Sequence, residues 1–132
     1  MFAKALAAGR DPQRAEELLA SSLAGIAPPN VASAIPGLVA RHSPFGELAY
    51  RYTLGQWQRL AELAGTWGRS FLLPQASRGF SDPQSAARLV EDQRRMAGAD
   101  GASLGAREAE DIRLRAAVKA RESAALEKDL AD

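Results

Sequence analysis

The stretch SFLLPQASRGFSDPQSAARLV, residues 70–90, decides the fold of this chain. Its apolar run ends at Gly79, which can adopt the left-handed backbone conformation that closes a helix. A new helix is predicted directly afterwards. Ser81 can accept hydrogen bonds from the free amides of the next turn, and Pro83 suits that turn because it has no amide to leave unpaired. Gln84, three residues after Ser81, can complete a capping box.

Phe80 precedes this predicted cap and is placed to pack against the incoming helix near Ala86. The stretch therefore predicts a corner between two packed helices. The triplet Asp-Pro-Gln occurs here at Asp82 and also at Asp11, and each copy begins a predicted helix after a turn that contains glycine. These residues indicate architecture and carry no catalytic chemistry.

The composition favours one all-α domain that spans residues 1–132. Apolar residues make up 46% of the 132 residues but aromatic ones only 6%; alanine, the best helix former, is frequent. The net charge of +1 gives no strong field for nucleic acid or anionic membrane. The absence of cysteine excludes disulfides and thiolate sites and fits a reducing cytoplasm. No apolar run is long enough to predict a transmembrane helix.

Helical periodicity and capping residues predict seven helices along the chain. Pro36 falls inside the third and predicts an early kink or a start displaced toward Ile35. The fourth is apolar over a wide arc, so we expect it to be the central core helix, ended by Gly65. The predicted helices are Phe2 to Gly9, Pro12 (capped by Asp11) to about Gly25, Val31 (capped by Asn30) to His42, Phe45 to Leu63, Trp67 to Ala76, Ser81 to Met96, and a last helix from Ser103 to about Leu130.

We expect these helices to stack antiparallel in an armadillo- or HEAT-like right-handed superhelix, with a compact bundle as the alternative. The stripe of the last helix is thin in the middle, so this helix should pack on one side only and leave much of its surface in water. That stripe consists of Ala109, Ile112, Ala116, Lys119, Ser123, Leu126 and Leu130.

The only histidine, His42, stands near the end of a predicted helix. A zinc site needs three or four ligands, so this histidine is better explained as a solvated helix-end charge or a hydrogen bonder at the edge of the core. A Ser-His-acid triad with Ser43 or Ser77 is formally open, but no nucleophile-elbow pattern accompanies them. No catalytic, cofactor-binding or metal-binding residue is predicted.

Three further groups of residues are candidate sites. The carboxylates Glu108, Glu110 and Asp111 alternate with arginines at helical spacing, which indicates surface ion pairs. The tryptophans Trp57 and Trp67 could line a groove, but core packing is the favoured role. A basic patch is weakened by neighbouring acids and lacks aromatic residues for base stacking; its members would be Arg88, Arg94, Arg95, Lys119 and Arg121.

The order of these segments resembles the C-terminal helical domain of zinc aminopeptidases of the aminopeptidase N and puromycin-sensitive type. The resemblance covers nearly the whole chain. It departs from the family pattern at Gln56, Gln93 and Val118. It rests on Ala5-Leu6-Ala7 followed by Asp11-Pro12, on Leu18-Leu19 and Pro28-Pro29-Asn30, on the segments Tyr50 to Trp57 and Leu72 to Pro83, and on the closing helix from Glu110 to Leu130.

The resemblance implies a non-catalytic cap that curves over a zinc-bearing catalytic domain and limits peptide access. The family's His-Glu-x-x-His helix is not in this sequence, so the zinc would belong to the parent's catalytic domain. The partners implied are that catalytic domain and, in the full-length protein, peptide substrates. The start at Met1 looks like a boundary that cuts into a helix, and an apolar face near Phe2 and Leu6 would drive weak self-association.

Two other functions stay open from the sequence. One is a stand-alone helical-repeat scaffold that binds a partner protein on its concave face. The other is a small helical regulator that self-associates. The encoding gene distinguishes the aminopeptidase cap from the scaffold and the regulator. An upstream in-frame His-Glu-x-x-His segment would favour the cap.

Overall fold

The computed structural model describes residues 10–131 and is built from helices. No strand occurs in that range, which confirms the all-α prediction. The helix predicted over residues 2–9 and the apolar face expected near Phe2 and Leu6 lie outside the described residues. The α-helices are α1 (Pro12–Ser21), α2 (Pro29–His42), α3 (Gly46–Gly55), α4 (Trp57–Gly68), α5 (Leu72–Ala76), α6 (Pro83–Ala97) and α7 (Ala102–Ala131), with short 3₁₀ turns at Arg69–Phe71 and Ala99–Gly101.

Helix α3 lies at the centre and contributes to two apolar clusters. Ala49 packs with α1 and α2 in the first cluster, beside Leu19 and Val39. The next residue, Tyr50, packs in the second cluster with α5, α6 and α7. Both Ala49 and Tyr50 are fully buried. A helix that is covered on two adjacent sides explains the wide apolar arc seen in the sequence.

The helix α6 begins as a capped helix, but the cap is Asp82 rather than the predicted Ser81. Asp82 has an extended backbone, and its Oδ1 accepts from the amide of Ser85 at 2.9 Å. The hydroxyl of Ser85 donates to the other carboxylate oxygen at 2.9 Å, so Ser85 stands where Gln84 was expected. Pro83 occupies the first turn as predicted. Asp82 is the cap, and not Ser81, because its carboxylate can accept hydrogen bonds from the backbone amide and the hydroxyl of Ser85 together.

Gly79 is required at the corner for a different reason from the predicted one. Its φ is not positive. A Cβ there would lie 2.6 Å from the carbonyl oxygen of Ala40, and its own Cα is close to Gly46. The corner therefore packs backbone against backbone on α2 and α3, a contact that depends on tertiary structure. Phe80 continues it, with its ring 5.4 Å from that of Tyr50 in an edge-on arrangement.

The single helix predicted over residues 45–63 is wrong: α3 and α4 are separate, and the break falls at Gln56, with φ −112° and ψ 22°. Gly65 interrupts α4 with φ 79° and ψ 178°. Glycine adopts this conformation without a Cβ penalty. The chain beyond it no longer follows the earlier helical face, and the predicted helix from Trp67 to Ala76 becomes the end of α4, a 3₁₀ turn and α5.

The first two helices begin with prolines. Asp11 caps α1 by accepting from the amide of Gln13 at 3.0 Å, with Pro12 in the first turn, as predicted. Helix α2 starts after Pro28, so Asn30 lies inside the helix and is not its cap. The helix runs through Pro36, which is buried, and its start is not displaced toward Ile35.

Helix α7 has an inner half that packs and an outer half that does not. It begins at Ala102 after the 3₁₀ turn, so Ser103 is not its cap. Gly105, Ala109 and Ile112 are buried against the body. Every residue from 117 to 131 is exposed. At a rise of about 1.5 Å per residue, the outer half extends roughly 20 Å beyond its last half-buried contact.

Candidate functional site

The histidine and serines considered for a triad are built into helix ends. His42 is the last residue of α2 and is half-buried. The hydroxyl of Ser43 donates to the carbonyl of Val39 at 2.6 Å, and that of Ser77 donates to the carbonyl of Leu73 at 2.8 Å. Both hydroxyl protons are thus held by the backbone of the preceding turn, an arrangement typical of structural serines.

The carboxylates on α7 have separate roles. Glu108 is nearly buried and receives Arg115 at 3.1 Å, while Arg78 lies 3.9 Å from its other oxygen. Arg115 also donates to the carbonyl of Phe80 at 2.8 Å, so this pair fastens the corner to α7. Glu110 makes an exposed pair with Arg113 at 3.4 Å. Glu108 and Glu110 therefore form ion pairs, but only the Glu110 pair has the helical spacing and exposure that the sequence indicated, and Asp111 is in no ion pair within residues 10–131.

Two arginines of the weighed basic patch, Arg88 and Arg95, belong instead to a polar network between α3 and α6. The hydroxyl of Tyr50 donates to Asp92 at 2.6 Å, and both residues are buried. Arg88 lies 4.3 Å above the ring of Tyr50 and donates to Glu47 at 2.7 Å. Arg95 donates to Asp92 at 3.0 Å. A cation over an aromatic face and a charged hydrogen bond reinforce each other here.

Titration behaviour in this network supports a structural role. Burial, together with the hydrogen bond to Asp92, raises the pKa of Tyr50 far above its ordinary value of 10.0. The hydrogen bond from Arg88 lowers the pKa of Glu47, and the same bond raises the pKa of Arg88. Each shift favours the state that the contact needs, so the groups stay in one protonation state near neutral pH. The network holds α3 against α6, and we call it the clamp.

A groove surrounds Trp67, which is the role that the sequence did not favour for this tryptophan. This side chain is 91% exposed, and Phe71 beside it is 44% exposed. With the start of α7 they line a groove of about 450 Å³. Its other lining residues are Thr66, Ser70, Asp100, Ser103 and Leu104. Large exposed aromatic side chains next to a concavity are typical of protein-binding surfaces.

Gln93 ties the two walls of this groove together from below. It is fully buried, and its Nε2 donates to the carbonyl of Ser70 at 2.8 Å and to that of Gly101 at 2.9 Å. A Cβ at Gly101 would lie 2.7 Å from this nitrogen, and one at Gly105 would lie 2.8 Å from Cγ of Gln93. Two glycines therefore make room for one amide, which joins the 3₁₀ turn Arg69–Phe71 to the 3₁₀ turn Ala99–Gly101.

The orientation of this amide is set by its neighbours. The Oε1 of Gln93 is buried without a hydrogen-bond partner among the described residues. Flipping the amide would place that oxygen against two carbonyl oxygens, which is worse than leaving it unpaired. Sequence reasoning missed the structural role of Gln93. Its role depends on residues 23 and 8 positions away, and no local signal reports it.

The two tryptophans divide between core and surface. Trp57 is half-buried against the second cluster, as expected. The core position favoured for Trp67 is wrong. A continuous helix would carry Trp67 on the face of the buried Leu60, seven residues earlier, but Gly65 turns the chain away. That glycine is the one sequence signal that points toward the exposed ring.

The described residues show neither a metal-binding cluster nor a membrane-spanning helix. Residues 10–131 contain no group of three or more histidine, cysteine or acidic side chains placed to hold a metal ion. In that same range no helix combines the length and apolarity needed to cross a membrane. Comparisons with protein-family models, with curated proteins and with solved structures find no match to this chain.

Proposed function

We propose that this chain is the non-catalytic C-terminal helical cap of a zinc aminopeptidase, stacked in the armadillo- or HEAT-like manner and covering the catalytic domain so that it limits peptide access. The order of sequence segments supports the choice of family. The single structural observation that supports a docking role is the exposed aromatic groove. Trp67 is 91% exposed, and the amide of Gln93 binds the neighbouring wall at the carbonyl of Ser70.

The groove has the features that make an interface strong. Tryptophan is enriched among residues that dominate binding energy, and a preorganised surface loses little entropy on binding. Phe71 and Leu104 add apolar area around the ring, and Asp100 supplies a charge at the rim. In this proposal the catalytic domain covers the groove, the zinc belongs to that domain, and peptide substrates reach it past the cap in the cytoplasm.

The first experiment measures the native protein. An antibody against residues 10–131 is used to purify the protein from cells that produce it. We expect a mass far above 14.0 kDa and hydrolysis of an aminoacyl reporter that a chelator removes and zinc restores. The separate 132-residue chain, assayed with added zinc, should show no hydrolysis. A native protein of 14.0 kDa without activity would contradict the proposal.

The second experiment tests the groove in that longer protein. Trp67→Ala should loosen the cap and raise the hydrolysis of long peptides relative to a short reporter. Because the side chain is so exposed, the change should alter the stability of the separate chain by less than about 0.5 kcal/mol. Ile26→Ala, at a residue that is 82% exposed and not part of the groove, is the control. Equal ratios in the two variants would refute the role of the groove.

A stand-alone scaffold is the second candidate, favoured by the fact that the groove is already formed within the described residues. In that case the native protein has a mass of 14.0 kDa. Trp67→Ala then weakens binding of a folded partner, while Ile26→Ala does not.

A further inference from the structure

The outer half of α7 is an unpartnered surface that differs from the groove. The apolar stripe of this helix, which packs on the body through Ala109 and Ile112, continues outward through Ala116 and Ser123 to Leu126 and Leu130. Leu126 is 61% exposed and Leu130 is 80% exposed. The same helical face therefore serves as core at one end and lies in water at the other.

A notch lies where this outer half leaves the body. It has a volume of about 480 Å³ and is walled by Ser81, Asp82 and Pro83 at the start of α6. Its α7 side includes Ala116 and Ala120. The small side chains leave room beside α7 for the end of another helix that runs along it.

The charges on residues 113–131 of α7 are polarised along the helix. Residues 113–121 contain four cations and no acid, whereas residues 122–131 contain three carboxylates and one cation. Within residues 10–131, neither Lys119 nor Arg121 is in an ion pair, and the same holds for Glu122, Glu127 and Asp129. The unpaired cations thus precede the unpaired carboxylates along one exposed helix.

We propose that the outer half of α7 binds the same segment of a second copy of this chain, side by side and antiparallel. In the antiparallel orientation, the acidic end of each copy lies beside the basic part of the other. A parallel copy would instead place like charges side by side. The charge pattern favours a second copy of this chain as the partner, because the outer half of α7 is complementary in charge to an antiparallel copy of itself.

The register follows from size and charge. With the two-fold axis at Ser123, Leu130 of each copy lies opposite Ala116 of the other and enters the notch beside Pro83. Leu126 then lies opposite Ala120, so each large side chain meets a small one. Lys119 lies level with Glu127 of the other copy, so a cation faces a carboxylate on each side of the axis.

The contact is short, so the dimer should be weak. A paired segment of about 15 residues falls at the low end of the size range of specific interfaces, which predicts dissociation constants on the order of 1–100 µM. Because it depends on exposed charges, association should weaken as salt rises. Sedimentation of the 132-residue chain at several concentrations and two salt levels measures both effects.

Single cysteines give the sharpest test because the chain has none of its own. Ser123→Cys places a thiol at the proposed axis and should form a disulfide-linked dimer under mild oxidation. Ala124→Cys, one residue further and on a different face of the same helix, is the matched control and should cross-link at least tenfold more slowly. Both positions are exposed, so neither variant threatens the fold.

Leu126→Asp provides an independent readout and should weaken dimerisation at least tenfold, without changing the helical circular dichroism signal at concentrations where both proteins are monomeric. Three results would overturn the proposal: a monomer throughout the tested concentrations at low salt, equal cross-linking rates for the two cysteine variants, or a dimer that Leu126→Asp does not weaken. None of these results bears on the aminopeptidase assay, which tests the groove and the native mass.

Discussion

Removing one oxygen atom at the centre of the fold tests the clamp between α3 and α6. Tyr50→Phe keeps the buried ring and its edge-on contact with Phe80 but deletes the hydroxyl that donates to Asp92 at 2.6 Å. A hydrogen bond to a charged group contributes about 1.5–3 kcal/mol, and the carboxylate left behind is buried. Arg95 still satisfies one of its oxygens. We therefore expect a loss of about 2 kcal/mol in the free energy of unfolding.

The assay is urea denaturation followed by circular dichroism, with a thermal scan beside it. For a chain of this length, about 2 kcal/mol corresponds to a fall in Tm of roughly 6–10 °C. Tyr52→Phe is the matched control, because Tyr52 lies on the same helix and outside the network. If the two variants lose the same stability, within about 0.5 kcal/mol, the clamp is not the stabilising contact described above.

The pH profile gives a second readout of the same contact. The pKa of Tyr50 is raised in the folded protein, so an unfolded chain releases this proton near pH 10.0 while the folded chain holds it. Stability from this group is therefore complete below pH 10 and falls as pH rises above it. Tyr50→Phe should lack that part of the alkaline decline. An unchanged profile in the variant would contradict the raised pKa.

The remaining predictions concern the corner and the rim of the clamp. Asp82→Ala should lower the free energy of unfolding, measured with heat and urea, by about 1 kcal/mol because it removes the cap, whereas Ser81→Ala should lower it by less than about 0.5 kcal/mol. A larger loss for Ser81→Ala would mean that Ser81 is the cap, as the sequence predicts. Gly79→Ala should lower the free energy of unfolding by at least about 2 kcal/mol, because the added Cβ would contact a backbone oxygen. Gly55→Ala, where nothing lies near the added Cβ, should leave the free energy of unfolding unchanged or raise it by up to about 1 kcal/mol. Glu47→Gln should lower the free energy of unfolding by less than about 1 kcal/mol, since the carboxylate of Glu47 is half exposed. Because the pKa of Glu47 is lowered in the folded protein, the stability that this variant removes is present above pH 4.5 and is lost as pH falls. An acid unfolding profile identical to that of the wild type would refute this prediction.

The sequence was sufficient for features that a few neighbouring residues decide. Asp11 with Pro12 and the proline after Asp82 start helices wherever they occur, because the capping chemistry is local. The same locality explains the error of one residue at α6. Two adjacent residues could accept the free amides, and the choice depended on which one has an extended backbone before Pro83.

Features made by distant residues were not accessible in the same way. The bond between Tyr50 and Asp92 joins residues 42 positions apart, and no spacing rule pairs them. The close approach of Gly79 to Ala40 is likewise a property of packed helices. The exposed groove was not favoured because a tryptophan in a helix usually packs in the core, and the sequence does not show which direction the chain takes after Gly65.

Helix α7 also has a consequence for backbone motion. Its outer half is joined to the folded body at one end only, and about 15 residues of helix are marginally stable in water when nothing packs on them. Amide protons should then exchange with solvent progressively faster from residue 117 toward residue 131, while those near Ile112 exchange only with global unfolding. A partner that binds the outer half of α7 would slow amide exchange only in the last four turns of this helix.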